Sequence, residues 1–384
     1  MEKYYLAALN FVKNCGPQQV RVLVKHFDSA ENIWQANAKE LLHCPFLSKV
    51  SVEDILTLRG QGVVENLARA CEQQGIKIVT YLEQDYPANL REIMNFPTSL
   101  FYKGRSLGEI NNPLGVVGPR KSTEYAKDVV RFFVEKFAGY DLTIVSGGAR
   151  GIDTTAHKTA LANDLHTVAV LGCGLDVTYP PENKALFAEI AERGTLLSEY
   201  PPGVQPIARN FPARNRIISG LSKGVLLPEA GVKSGSLITA EFALDQGREV
   251  YCVPGDIFSA NSFGVHSLIK QGAKLTTVAE DVLEDYFPER NFARKDPVGK
   301  APPKVVQTVL VESKEENIPK HELSDEQKEV LHILSYDNLM SMDNIHMECS
   351  LDIGNLSLIL LELEILGYIH MDISQRKYLK VRGV

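Results

Sequence analysis

Positive charge, paired cysteine and long apolar runs are all scarce in this 384-residue chain. Forty-one Lys and Arg against 48 Asp and Glu leave a formal net charge of -7, so no global basic field draws the chain to a polyanion. Any such binding has to come from a local patch. The six cysteines, Cys15, Cys44, Cys71, Cys173, Cys252 and Cys349, form no C-x-x-C pair and have no short metal-ligand spacing to the histidines. Free thiols in a reducing compartment are the simple reading. No apolar run approaches the roughly 18 residues of a membrane span, and Met1-Glu2-Lys3-Tyr4-Tyr5 lacks the basic start and apolar core of a signal peptide. The expectation is a cytoplasmic protein with no membrane partner. Also missing are the G-x-x-x-x-G-K-[ST] of a P-loop and a G-x-G-x-x-G with an acidic residue about 20 positions on. No Ser-His-Asp or Cys-His constellation stands at catalytic spacing, and His157, His166 and His266 are isolated. No catalytic residue, cofactor or metal is therefore expected.

What is present is a globular composition, 44% hydrophobic, in a chain longer than one core usually supports, so two or three domains are expected. Over residues 1–70 apolar residues recur at helical spacing, broken at Cys15-Gly16-Pro17 and Cys44-Pro45, which predicts a small helical domain of helix-hairpin-helix or SAM-like type. Trp34 and Phe27 are its candidate core. Residues 71–287 read as an extended Rossmann-like domain. It opens with strand, short helix and strand between Gly75 and Gly104, and continues with short β-branched runs at 114–117, 142–145, 167–171, 224–227 and 249–253, each followed by a helical stretch. That spacing implies a parallel sheet with helices on both faces. Residues 288–321 hold Pro297, Pro302, Pro303 and Pro319 among many charges and read as a flexible linker. Three helical stretches and a hairpin in 322–384 predict a winged helix.

In a parallel α/β sheet, ligands bind at the carboxyl ends of the strands, where glycine turns and helix N-termini offer backbone N–H groups to anions. Five segments converge there. Val116-Val117-Gly118-Pro119-Arg120-Lys121-Ser122 places a cation two residues past the strand-ending Gly118. Ser146-Gly147-Gly148-Ala149-Arg150-Gly151-Ile152-Asp153 allows close backbone approach and opens a helix. The 172–181 segment has no nearby cation and is expected only to shape the pocket. Arg209-Asn210-Phe211-Pro212-Ala213-Arg214-Asn215-Arg216 surrounds an aromatic and amides with three arginines. Arginines neutralise phosphates, a phenylalanine stacks on an unpaired base, and Asn215 can hydrogen-bond a base edge. That combination specifies single-stranded nucleic acid among anions. Finally, Lys233-Ser234-Gly235-Ser236 forms a small-residue nest with a cation before a helix.

Together with Ser234-Gly235-Ser236-Leu237-Ile238-Thr239-Ala240, Val253-Pro254-Gly255 and Gly264-Val265-His266-Ser267-Leu268-Ile269, these motifs resemble the DprA/Smf (DNA-processing protein A) family. The resemblance spans about residues 81–281. It implies a non-catalytic protein that binds single-stranded DNA arriving by natural transformation, protects it and helps load the recombinase RecA, displacing single-strand-binding protein. Carried over, Arg120 and the arginines around Phe211 grip the strand, Phe211 stacks, and Gly118, Ser146 and Gly147 line the pocket. Arg209 is the candidate replacement for a lysine that relatives carry before the phenylalanine. Lys121, Gly148, Arg214, Asn215, Arg216, Lys233, Ser234 and Gly235 complete the expected DNA-binding set. A homodimer is implied through His266, Ile269 and Leu275. The stretch expected as recognition helix of the winged domain, 352–366, carries Asp352, Glu362 and Glu364 but no cation, which favours a protein-interaction or accessory role over duplex reading. Two other readings compete. One is a phosphoribohydrolase acting on nucleoside monophosphates with Glu241 as acid group, from the distant likeness of Pro228-Glu229-Ala230-Gly231 to a P-G-G-x-G loop. The other is a scaffold that touches DNA only through recombinase.

Overall fold

Helical periodicity at the start of the chain resolves into α1 (Glu2–Ala8), α2 (Pro17–Phe27), α3 (Ala30–Gln35), α4 (Ala38–His43), α5 (Lys49–Gly60) and α6 (Val63–Gln74). Their starts are encoded locally. Pro17 takes the first helical position, where its missing N–H costs nothing, and Ser29, Asn37 and Ser48 each accept a backbone N–H as N-caps. Leu6, Leu23, Ile33, Trp34, Leu41 and Ile55 share one core, with Phe27 at its margin.

In the computed structural model the described residues are 1–290, 292, 323–334, 340–366, 368–372 and 377–380. The chain divides into two compact units, Met1–Asp296 and Pro297–Val384. Most of the linker expected over 288–321 lies outside the described residues.

The first unit continues from the helices into β1 (Lys77–Thr80), α7 (Ala88–Arg91), β2 (Ser99–Gly104), β3 (Pro113–Val116), α8 (Glu124–Lys136), β4 (Thr143–Ser146), α9 (Ile152–Ala162) and β5 (Thr167–Leu171). Next come α10 (Lys184–Arg193), β6 (Thr195–Ser198), α11 (Asn210–Leu221), β7 (Gly224–Leu227), α12 (Ser236–Asp245), β8 (Glu249–Cys252), α13 (Phe263–Lys270), β9 (Lys274–Leu275) and α14 (Glu280–Tyr286). The strands form one sheet in the order β1-β2-β6-β5-β4-β3-β7-β8-β9. From β6 to β9 all pairings are parallel. The central strands are buried on both faces, and alternation sorts their side chains: Val145, Val225 and Leu227 enter one core while Ile144, Leu226 and Val116 enter the other.

Two features extend the sequence expectation. β6, a four-residue Thr-Leu-Leu-Ser strand, is an additional member of the parallel set, and β2 pairs antiparallel with it, so β1 and β2 extend the sheet. α11 is consequently covered on its outer side as well. Gly220 lies against Leu90 and Ile93, Asn89 donates to the Leu221 carbonyl, and Arg248 donates to the Asn89 carbonyl. At β3 the strand order reverses, because its neighbours are β4 on one side and β7 on the other. A crevice opens outside the carboxyl ends of strands at such a point.

The second unit comprises α15 (Asp325–Ile333), β10 (Met340–Ser341), α16 (Met342–Glu348), α17 (Ile353–Ile365), β11 (Ile369–Asp372) and β12 (Lys377–Lys380), with sheet order β10-β12-β11. This is the winged helix, with a short additional strand. Asp352 caps α17 by accepting from the N–H groups of Gly354 and Asn355, while Leu356, Leu360 and Leu363 fill the core. Arg376 and Arg382, two basic residues in and after the expected hairpin, lie outside the described residues.

Candidate nucleic-acid interface

The crevice at the β3 switch point holds a cleft of about 680 Å³. Five strand ends wall it: Gly118 and Arg120 after β3, Asp153 after β4, Tyr179 after β5, Phe211 and Asn215 after β6, and Ser234 and Gly235 after β7. All five segments anticipated from sequence thus contribute. The Arg120 guanidinium stands 5.7 Å from the centroid of the Phe211 ring and has no acceptor among the described residues. The Phe211 ring is partly exposed and leans on Gly172, where an added Cβ would come within 2.9 Å of it. Tyr179 also packs beside it, with ring centroids 5.2 Å apart and planes tilted by 43°.

Below this floor is a buried polar assembly. Asp153 accepts from the N–H groups of Gly147 (3.1 Å) and Ala149 (3.2 Å). Arg214 donates to the carbonyls of Gly147 (2.6 Å) and Val170. Burial pushes the Asp153 carboxyl above the usual aspartate range, against the pull of Arg214 and the two backbone donors. Burial also lowers the Arg214 guanidinium, with Asp153 opposing it. Gly151, at φ +77°, brings the next turn so close that a Cβ would meet the Pro119 carbonyl oxygen at 2.4 Å. The turns after β3 and β4 are therefore built as one packed piece. Glu229 ties in a third, accepting from the N–H and hydroxyl of Thr123.

The expected DNA-binding residues divide accordingly. Gly118, Arg120, Phe211, Asn215, Ser234 and Gly235 meet around the cleft. Arg214 reaches its wall, but it is buried, and both its bonds run to backbone carbonyls. Ser146 is buried in the sheet, its hydroxyl donating to the Val116 carbonyl, and it does not line the cleft. The Gly147 N–H is already given to Asp153, and Gly148 is buried beneath Phe187. Arg216 forms a two-point pair with Glu199 (2.7 and 3.0 Å) outside the cleft wall. Lys121, Arg209 and Lys233 are exposed and do not line the cleft. The segment is helical from Asn210, so Arg214, three residues on, shares a face with Phe211 but spends its guanidinium inward on the Gly147 and Val170 carbonyls, while Arg216, five residues on, turns to Glu199.

The residues of the competing readings and of the expected dimer surface lie elsewhere. Glu241 is exposed on α12 and does not line the cleft. His266 bonds through Nε2 to the Gly255 backbone, Ile269 packs partly against the core, and Leu275 is half exposed on β9, the last strand of the sheet. Among the described residues no cluster of His, Cys, Asp and Glu could hold a metal ion, and no helix is long and apolar enough to cross a membrane. Tyr179 and Arg150 were missed as candidates. The Tyr179-Pro180 pair had no cation beside it in sequence, and only the fold brings it to Phe211.

Fold and cleft together define a Rossmann-like α/β protein carrying a helical module before its sheet and a winged helix after it. The family described as DNA recombination-mediator protein A matches residues 77–287, and the DprA winged helix domain matches residues 314–371. The chain belongs to the DprA/Smf family of DNA-processing proteins. It is 34% identical to Protein Smf of Synechocystis, over 98% of each chain, and 46% identical to DNA processing protein DprA of Streptococcus pneumoniae, over 56% of this chain and 76% of that one. Among solved structures, the S. pneumoniae DprA matches 76% of this chain and 99% of its own, with a TM-score of 0.65 and 36% identity. DNA processing protein A of Helicobacter pylori, described for its single-stranded DNA binding mode, matches 56% and 97% with a TM-score of 0.51 and 28% identity.

Proposed function

We propose that this protein binds single-stranded DNA in the switch-point cleft and acts without catalysis as a recombination mediator, protecting incoming strands in natural transformation and helping to load RecA as single-strand-binding protein is displaced. The observation that carries the reading is the unpartnered Arg120 guanidinium beside the partly exposed Phe211 ring. A cation of this kind takes a phosphate and a ring of this kind takes an unpaired base, which a duplex keeps stacked inside. The single-stranded binding described for the H. pylori relative supports the assignment. Arg120, Phe211 and Asn215 form the contact set, with Gly118, Ser234 and Gly235 allowing close approach of the backbone. Lys121, Arg209 and Lys233 lie outside the cleft wall and can only extend the electrostatic footprint. The half-exposed Leu275 on β9 supports the proposed homodimer through His266, Ile269 and Leu275, and two clefts on one strand would add avidity.

Anisotropy of a fluorescent dT oligomer, titrated with the full chain against duplex of equal length at several salt concentrations, tests this. The expected result is a salt-sensitive preference for the single strand that Arg120→Ala and Phe211→Ala each weaken. Equal affinity for duplex, or binding unchanged in both variants, would refute it.

A further inference from the structure

The cleft does not end at Phe211. A shallow notch of about 10 Å³ adjoins it, walled by Arg120, Arg150, Tyr179 and Phe211, and it shares Arg120, Tyr179 and Phe211 with the main cleft. Tyr179 thus presents a second partly exposed ring beside the first, and its hydroxyl has no partner among the described residues. Beyond it, Arg150 is about half exposed and is held by Glu182 through two bonds to one carboxylate oxygen, 2.6 Å from Nη2 and 3.2 Å from Nε. Glu182 stands two residues after Pro180, so ring, cation and carboxylate belong to one short surface. An exposed pair of this kind is weak and yields readily to a competing anion.

We propose that the open surface over this notch is a second nucleotide subsite, in which the exposed side of Tyr179 stacks the base next to the one on Phe211 and the intervening phosphate displaces Glu182 from Arg150. Glu182 then acts as an internal competitor that lowers affinity for the strand. The inference rests on the single-strand reading of the main cleft. It adds a specific sign: removing a carboxylate remote from Phe211 strengthens binding.

The test is a titration of the full chain with dT oligomers of increasing length, over a salt series, for Tyr179→Ala, Tyr179→Phe, Arg150→Ala and Glu182→Gln. Tyr179→Ala should weaken binding of the longer oligomers by about tenfold, the usual size of a lost base–aromatic stack, while Tyr179→Phe stays near wild type. Glu182→Gln should tighten binding, because Arg150 no longer has to leave a carboxylate to meet the phosphate, with the dependence of log K on log salt near wild type. Arg150→Ala should flatten that dependence by about 0.7, the increment for one neutralised phosphate on a single strand, and abolish the gain from Glu182→Gln. A gain of affinity cannot come from misfolding. Wild-type affinity in both Tyr179→Ala and Glu182→Gln, with Phe211→Ala still impaired, would overturn the second subsite alone. A wild-type chain with no single-strand preference would overturn the underlying reading, and the subsite with it.

Discussion

Arg214 is the residue at which the proposed grip on DNA and the holding of the fold can be separated. Arg214→Ala would leave the Gly147 and Val170 carbonyls unpaired and deprive buried Asp153 of the cation that opposes its desolvation. Unpairing a buried acceptor costs about 1–3 kcal/mol, and stripping the partner from a buried charge about 3–5 kcal/mol. The effects overlap at one site, so a total of about 3–5 kcal/mol is expected, a large part of the roughly 5–15 kcal/mol that keeps a domain folded. The protein's one tryptophan, Trp34, is buried in the first unit, and its fluorescence reports on that unit. With a urea dependence of about 2–3 kcal/mol per molar, the midpoint should fall by about 1–2 M. Arg214→Lys should also lose stability, since an ammonium lacks the planar fork that serves two acceptors. Arg120→Ala, whose side chain is exposed, should unfold at the wild-type midpoint. If Arg214→Ala also unfolds there and loses only affinity for DNA, the scaffold argument is wrong.

Two further perturbations follow from burial. His157 is fully buried, with Nδ1 on the Thr167 hydroxyl, and burial, reinforced by Arg214, drives its imidazole down to about 3. Between there and the unfolded value near 6.5, the unfolded chain carries the extra proton, so stability is lost as pH falls through that window, by up to about 1.4 kcal/mol per unit. Asp153, with its carboxyl raised, works in the opposite sense above its unfolded value. His157→Gln should flatten the decline of the urea midpoint between pH 7 and 5, and an unchanged slope would count against it. Burial likewise raises the thiols of Cys15 and Cys252 to about 12 and those of Cys71 and Cys173 to about 11. Ellman's reagent should label the half-buried Cys349 quickly and these four only on unfolding. Rapid native labelling of any of the four would contradict the packing described.

Much of this molecule can be read locally. Strands such as Thr167–Leu171 are β-branched runs closed by glycine, and helices α3 to α5 carry their own caps. β6 was harder, since Thr-Leu-Leu-Ser is too short to show a period and its place in the sheet depends on partners from β2 and β5. The cleft was legible as a set of glycine turns, but the fate of each cation was not. Arg214 and Arg216 differ from Arg120 only in what lies across from them, Val170 and Gly147 in one case and Glu199 in the other. Such partners lie 17 to 67 positions away in the chain. Tyr179 escaped notice for the same reason.

The covering of α11 on both sides has a consequence for how such a protein can change over evolutionary time. A ligand-contacting helix usually has a free face on which substitutions accumulate at little cost. Here the helix that presents Phe211 and Asn215 is wedged between the sheet and the segment around Leu90 and Ile93, and a Cβ at Gly220 would come within 2.9 Å of both side chains, which would have to shift. Retuning the proposed grip on DNA from within α11 would therefore disturb folding at the same stroke. Variation is open instead at the rim, at Lys121, Lys233 and the Arg150–Glu182 pair, where side chains face water. Divergence among members of the family should concentrate there, with the wedge held nearly fixed.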